Sequence, residues 1–228
     1  MKFLQTAVLA LAIVSTSVAL SPGHADRIEQ RFESVPMQML MSTVRISVTN
    51  LGKQGAGSGV CISDKHILTC AHLFDHGPME DAVIAVQLKG KKHDSLNTLD
   101  ARIIKIDTTL DIAILEVDGT LPFSSEVDTS SETSVGDALF VLGAPGGFSA
   151  NYAVQGFLAT KGEGKNPFAD MTGWEHCWST SARTDQGNSG GPIFNANTGK
   201  VIGVLRGGPR GYGVSLFTPV TLVKKWFK

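Results

Sequence analysis

Strand-sized runs of β-branched and aliphatic residues, divided by turn signals, recur from Thr43 almost to the end of the chain. This rhythm limits the fold more than any other feature of the sequence. The first set is Thr43–Val48, Gly59–Ser63, Ile67–Cys70, Val83–Leu88, Arg102–Ile106 and Ile112–Val117. The second is Ala138–Leu142, Ala153–Thr160, Cys177–Ser181, Gly191–Phe194, Val201–Leu205 and Tyr212–Phe217. Asp64-Lys65, Asp118-Gly119, Ala144-Pro145-Gly146-Gly147 and Thr198-Gly199 supply turns between runs. Strands this short, with little helix to cover them, bury their faces as a sandwich or as barrels. The polar stretch Ser124–Gly136 parts the two sets, so the reading is all-β, with two small barrels at about 40–123 and 137–217. After Thr218-Pro219, the residues Val220, Val223, Lys224 and Phe227 recur at helical spacing. They predict a short C-terminal helix over about 218–227, with the proline at its first position.

The first residues read differently. Met1-Lys2 gives a basic start, the apolar stretches Ala7–Val14 and Val18–Leu20 follow, and small residues end the segment at Ala25. This is the pattern of a secretory signal peptide, residues 1–25, and it leaves 26–228 as the exported chain, with no stable membrane anchor. The apolar stretch is short for a membrane span and is broken by Ser15, Thr16 and Ser17. A net charge of −1 gives no general attraction to nucleic acid or anionic lipid. Of the three cysteines, Cys61 and Cys70 fall on two strands of an expected hairpin, so a disulfide between them is an expectation, alongside three buried thiols.

Chemistry is concentrated in Gly187-Asn188-Ser189-Gly190-Gly191-Pro192. A serine nucleophile needs a base and an anion-stabilising frame. Glycines permit a tight turn with N–H groups free to face a substrate oxygen. Among six histidines, His72 stands at the end of the strand Ile67–Cys70, where a rigid scaffold can hold an imidazole. Asp111 precedes the apolar strand Ile112–Val117 and is the preferred carboxylate; Asp107, four residues earlier, reads as a turn residue. Gly187-x-Ser189-x-Gly191 also fits a nucleophile elbow, but that arrangement needs a histidine after the serine, and none follows His176. His72 and His76 lie four apart, yet Leu73 stands where a zincin has glutamate, so no metal is expected.

These blocks resemble, in order, those of a chymotrypsin-fold (trypsin-like) serine peptidase, in the manner of the bacterial HtrA/Deg and glutamyl-endopeptidase-like branches. The matching stretches are Gly57-Ser58-Gly59-Val60, Ile67–His72, Asp111–Leu115, Val141–Gly146 and Gly187–Pro192. The resemblance implies two six-stranded antiparallel β-barrels with the site in the cleft between them. It also implies a secreted endopeptidase that acts on polypeptides through an acyl-enzyme, without a cofactor. Catalysis would fall to His72, Asp111 and Ser189, and the oxyanion hole to the N–H groups of Gly187 and Ser189. A silent binding protein on the same fold and an esterase with the same triad remain alternatives. Three departures follow from the resemblance. Asn188 replaces the aspartate used in zymogen activation, the chain stops where HtrA proteins carry a PDZ domain, and Arg206 fills a place usually held by a small residue. The substrate pocket is expected around Arg183, Thr184, Arg206, Gly207 and Gly208. A buried Arg183 would favour an acidic P1 side chain, whereas an Arg183 turned to solvent would not.

Overall fold

Val44, Ile46, Val48 and Asn50 are buried along one face of β1 (Thr43–Asn50), the period-2 pattern of a half-buried strand. The computed structural model describes residues 35–75, 82–88, 97–130, 132–145, 152–162, 175–208 and 213–228. The expected signal peptide, His24, His76, His93 and Tyr212 lie outside the described residues.

β1 turns through Leu51 and Gly52, both at positive φ (48° and 76°), into β2 (Lys53–Cys61). This is the two-residue hairpin geometry whose twist matches that of the flanking strands. Then come β3 (His66–Thr69), β4 (Val83–Leu88), β5 (Asn97–Asp107) and β6 (Ile112–Val117). They close in the order β1-β2-β3-β6-β5-β4, with β4 pairing back onto β1. The second set is β7 (Ala138–Gly143), β8 (Tyr152–Thr160), β9 (Trp178–Thr180), β10 (Pro192–Asn195), β11 (Val201–Gly207) and β12 (Ser215–Pro219), closed as β10-β11-β12-β9-β8-β7. Each is a closed six-stranded barrel, and every neighbouring pair is antiparallel.

Two local expectations need correction, and one element had no expectation. A six-residue helix, α1 (Met37–Ser42), precedes β1 and has no side-chain cap, so no capping signature announces it. Pro219 does not begin the last helix. It pairs with Gly203 at the end of β12, in extended conformation, and Val220–Phe227 forms a 3-10 segment kinked at Val223. Cys61 and Cys70 are both free and buried. Cys61 stands opposite Ile67 on the β2–β3 ladder, three residues short of Cys70, so the register does not face the two thiols.

The barrels are joined by apolar contact as well as by chain. Phe140, Leu142, Phe194, Val201 and Val204 of the second barrel pack into one cluster with the buried residues of the first, including Val60, Leu73 and Leu115. Leu139, Val141, Leu158, Ile193, Leu205 and Phe217 fill the second barrel itself, with Trp178 edge-on to Phe217 at 6.0 Å. The connecting segment adheres to both barrels. Ser125 N–H donates to Cys61 O (2.9 Å), and Val127 bridges Val201 in parallel. Truncating Phe194, fully buried where the barrels meet, should cost about 3–5 kcal/mol through lost transfer energy and an unfilled cavity. Urea unfolding of Phe194→Ala measures this, and a loss below about 1 kcal/mol would contradict a shared core.

Candidate active site

Asp111 sits at the turn between β5 and β6, where the chain must reverse and enter the seam between the barrels. Asp107 Oδ1 accepts the Leu110 N–H (2.9 Å), and Thr218 Oγ1 donates to Leu110 O (2.6 Å), which ties this turn to the second barrel. Asp111 takes a positive φ of 54°, a conformation aspartate tolerates better than most residues, and its side chain is buried. Its carboxylate is fully engaged. Oδ1 accepts the His72 backbone N–H (2.8 Å), while Oδ2 accepts from His72 Nδ1 (2.9 Å) and from Arg206 Nε (2.9 Å). Burial alone would raise the Asp111 carboxyl. The hydrogen bonds and charge of His72, with the Arg206 charge added, outweigh it and hold the group below its ordinary value.

His72 is delivered by a 3-10 turn, Ala71–Phe74, that starts where β3 ends. With Nδ1 donating to an ionised carboxylate, a neutral imidazole presents its lone pair at Nε2. That atom lies 3.6 Å from Cys70 Sγ, and the imidazole is 43% exposed on the seam. Burial pushes the Cys70 thiol well up, so it is a neutral neighbour. Cys70, His72 and Asp111 bring donor atoms within 4.8 Å of one another, but the carboxylate is already taken by two nitrogens of His72 and one of Arg206.

Ser189 comes from the opposite barrel, in the loop ahead of β10. The two residues that follow Ser189 must be glycine. A Cβ on Gly190, at φ +82°, would strike Thr69 Oγ1 and the Ser58 carbonyl oxygen, and one on Gly191 would strike the Leu142 carbonyl oxygen. Ser58 fixes this loop from the first barrel. Its N–H donates to Ser189 O (2.7 Å), its Oγ donates to Gly187 O (2.7 Å) and accepts from Ala144 N–H (2.9 Å), and its own carbonyl accepts from Thr69 Oγ1 (2.7 Å). The backbone N–H groups of Gly187 and Ser189 find no acceptor among the described residues. Ser189 Oγ donates to Arg206 O at 3.3 Å, and no hydrogen bond joins it to His72. Asn188 is buried behind the loop, and neither amide atom of its side chain is hydrogen-bonded.

The residues expected to line a pocket divide. Thr184 Oγ1 lies 2.8 Å from Ser215 Oγ, and Gly208 passes close to the Val214 carbonyl. Arg183 is exposed and reaches over Gly213, so it is not the buried arginine that an acidic P1 preference would need. Arg206 departs furthest: only its carbonyl faces Ser189, while its side chain turns onto Asp111 and Cys177 Sγ (3.5 Å). Sequence reasoning missed Ser58 as the clamp between barrels. Its one signal was a serine flanked by glycines opposite the Ser189 loop.

Residues 57–204 match the family described as "Trypsin-like peptidase domain". The chain is 32% identical over 157 residues to a "Probable periplasmic serine endoprotease DegP-like" of Pseudomonas savastanoi pv. phaseolicola, an alignment covering 66% of this chain and 29% of that protein. It is 31% identical over 178 residues to a protein of the same description from Chlamydia trachomatis, covering 74% and 32%. The chain thus spans about a third of the length of these relatives. Among solved structures it resembles the serine endoprotease from Yersinia pestis (TM-score 0.64, 23% identity, 84% of this chain and 66% of that one). It also resembles Deg5 (TM-score 0.66, 22% identity, 91% and 94%). At those identities the likeness concerns the fold.

The Asp111 pairing has a pH signature. A carboxyl lowered on folding adds stability above its unfolded value, about 3.9, and that stability is lost as pH falls through the lower native value. The stability gap between wild type and Asp111→Asn should therefore close progressively as pH falls below about 4. Urea midpoints across this range measure it; a gap that does not change with pH would contradict the pairing.

Proposed function

The chain belongs to the trypsin-like peptidase family, and on that premise we propose that it is an exported serine endopeptidase whose nucleophile, base and orienting carboxylate are Ser189, His72 and Asp111. One observation supports this reading above the others. Asp111 holds His72 by two nitrogens and leaves Nε2 unbound by the carboxylate, and Ser58 clamps the Ser189 loop onto the barrel that carries His72.

In this mechanism the Ser189 hydroxyl leaves the Arg206 carbonyl and donates to Nε2 instead. Oγ attacks the scissile carbonyl carbon as His72 takes its proton. The oxyanion is received by the N–H groups of Gly187 and Ser189, donors worth on the order of 3 kcal/mol each in comparable sites. His72 then returns the proton to the leaving amine as the C–N bond breaks. A water, deprotonated by His72, releases the acyl group and restores the serine. Asp111 supports the imidazolium at each stage.

Polypeptides are the substrates under this reading, met in extended form in the groove bordered by Thr184, Gly207 and Gly208. The periplasmic naming of the relatives and the basic-then-apolar start of the chain support export, with residues 1–25 as the signal and 26–228 as the functional chain. Among the described residues no helix is long and apolar enough to cross a membrane.

Fluorophosphonate labelling, followed by digestion of a proteome-derived peptide library, tests the assignment. The purified protein should be labelled and should cleave, Ser189→Ala should do neither, and His72→Ala should lose at least about a thousandfold in rate. Folded wild type that neither labels nor cleaves would overturn it.

A further inference from the structure

Arg206 is placed by a defect in strand pairing. On the β11–β12 ladder Leu205 stands opposite Phe217 and Gly207 opposite Leu216, so Arg206 is the extra residue between them. A bulge of this kind re-aims the side chain that it carries. Gly207 follows at φ +145°, a backbone that an L side chain rarely adopts. The result is a guanidinium that is only 11% exposed, set against a carboxylate that is 5% exposed.

Burying both charges costs desolvation that a small hydroxyl at this place would avoid. What the arginine adds is geometric and electrostatic. Its Nε donates to the carboxylate oxygen that also accepts His72 Nδ1, both at 2.9 Å. The carboxylate therefore cannot rotate toward His72 or away from it without breaking a charged hydrogen bond on the other side. When His72 takes a proton, two cations share one oxygen, and the fixed one opposes the new one. Among the described residues the charges that act on Asp111 are those of His72 and Arg206. Among the described residues the other titratable groups that act on this cluster are the Cys70 and Cys177 thiols, both raised by burial and neutral, with Glu175 beyond Cys177. Arg206 also meets the other end of the machinery, through the carbonyl that accepts from Ser189 Oγ.

We propose that Arg206 is a positioning residue that acts through Asp111: it locks the carboxylate onto His72 and, by neutralising part of its charge, keeps the imidazole unprotonated, and thus able to act as base, into more acidic conditions than the carboxylate alone would allow. The proposal rests on the peptidase reading for its effect on turnover, though not for its effect on His72.

The test compares Arg206→Gln, which keeps an N–H donor without charge, with Arg206→Lys, which keeps the charge. In Arg206→Gln the acid limb of the kcat/KM profile should move up by about one pH unit, because losing the fixed cation favours the imidazolium. In Arg206→Lys the limb should stay in place, while plateau kcat falls severalfold as the planar fork is lost. KM should change less than about twofold in both, since the side chain is directed at Asp111 and Cys177 and only the backbone carbonyl meets Ser189. The His72 ring titration, followed by NMR on ¹⁵N-labelled protein without substrate, should move in the same direction and by the same amount. Should the glutamine variant fail to fold, Arg206→Ser carries the same expectation. An imidazole titration that coincides in wild type and the neutral variant overturns the proposal, whether or not the protein is a peptidase. A titration that moves in a protein showing no turnover upholds the effect on His72 and sinks the peptidase reading alone.

Discussion

A buried carboxylate must be matched, and the matching of Asp111 governs this molecule's seam. The Asp111 oxygens receive a backbone N–H and an imidazole N–H from the first barrel and a guanidinium N–H from the second. In return they fix where the His72 turn begins, how the imidazole faces and where the bulge of β11 must lie. The left-handed backbone at Asp111 is the local strain this arrangement carries. It is held in place from outside by the Asp107 side chain and by Thr218 of the second barrel, which bonds the neighbouring Leu110 carbonyl.

The partner loop is held by different means. Around Ser189 the constraint is close backbone approach across the seam, enforced by Gly190 and Gly191 and secured by Ser58. Each barrel thus supplies one side of the site and one lock on the other side. A continuous apolar cluster through Phe140, Phe194 and Leu115 keeps the two from sliding. The groups that must be placed stand on short turns and a loop anchored at strand ends, His72 after β3, Asp111 before β6 and Ser189 ahead of β10, and the Ser189 hydroxyl rests on the Arg206 carbonyl.

How much of this the sequence discloses follows the physics of each signal. Val83–Leu88 and Ile112–Val117 were legible to the residue because each is a largely aliphatic run bounded in the sequence by polar or small residues. β2 was read too short, since Lys53–Ser58 is rich in glycine and small polar residues and makes its ladder bonds through backbone alone. Pro219 reads as a helix start because its fixed φ suits both that place and the end of a strand. The pairing with Gly203 decides between them. His72, Asp111 and Ser189 could be singled out as candidates from their motifs, whereas the side-chain direction of Arg206 could not be read from the sequence. A period-2 reading assigns residues to faces by counting, and one bulged residue resets the count. Ser58 escaped for a related reason: its importance lies in four bonds to residues far from it in the chain.

Coupling across Asp111 is the most direct measure of whether the seam is organised as described. A double-mutant cycle between Asp111→Asn and Arg206→Gln, read as unfolding free energy at pH 7, isolates it. Each single change strands a buried charge, and the double change removes both, so the two effects should fall short of additivity by more than about 1 kcal/mol. Effects that add to within about 0.5 kcal/mol would mean that the guanidinium and the carboxylate do not depend on each other, and the organisation proposed for the seam would be wrong.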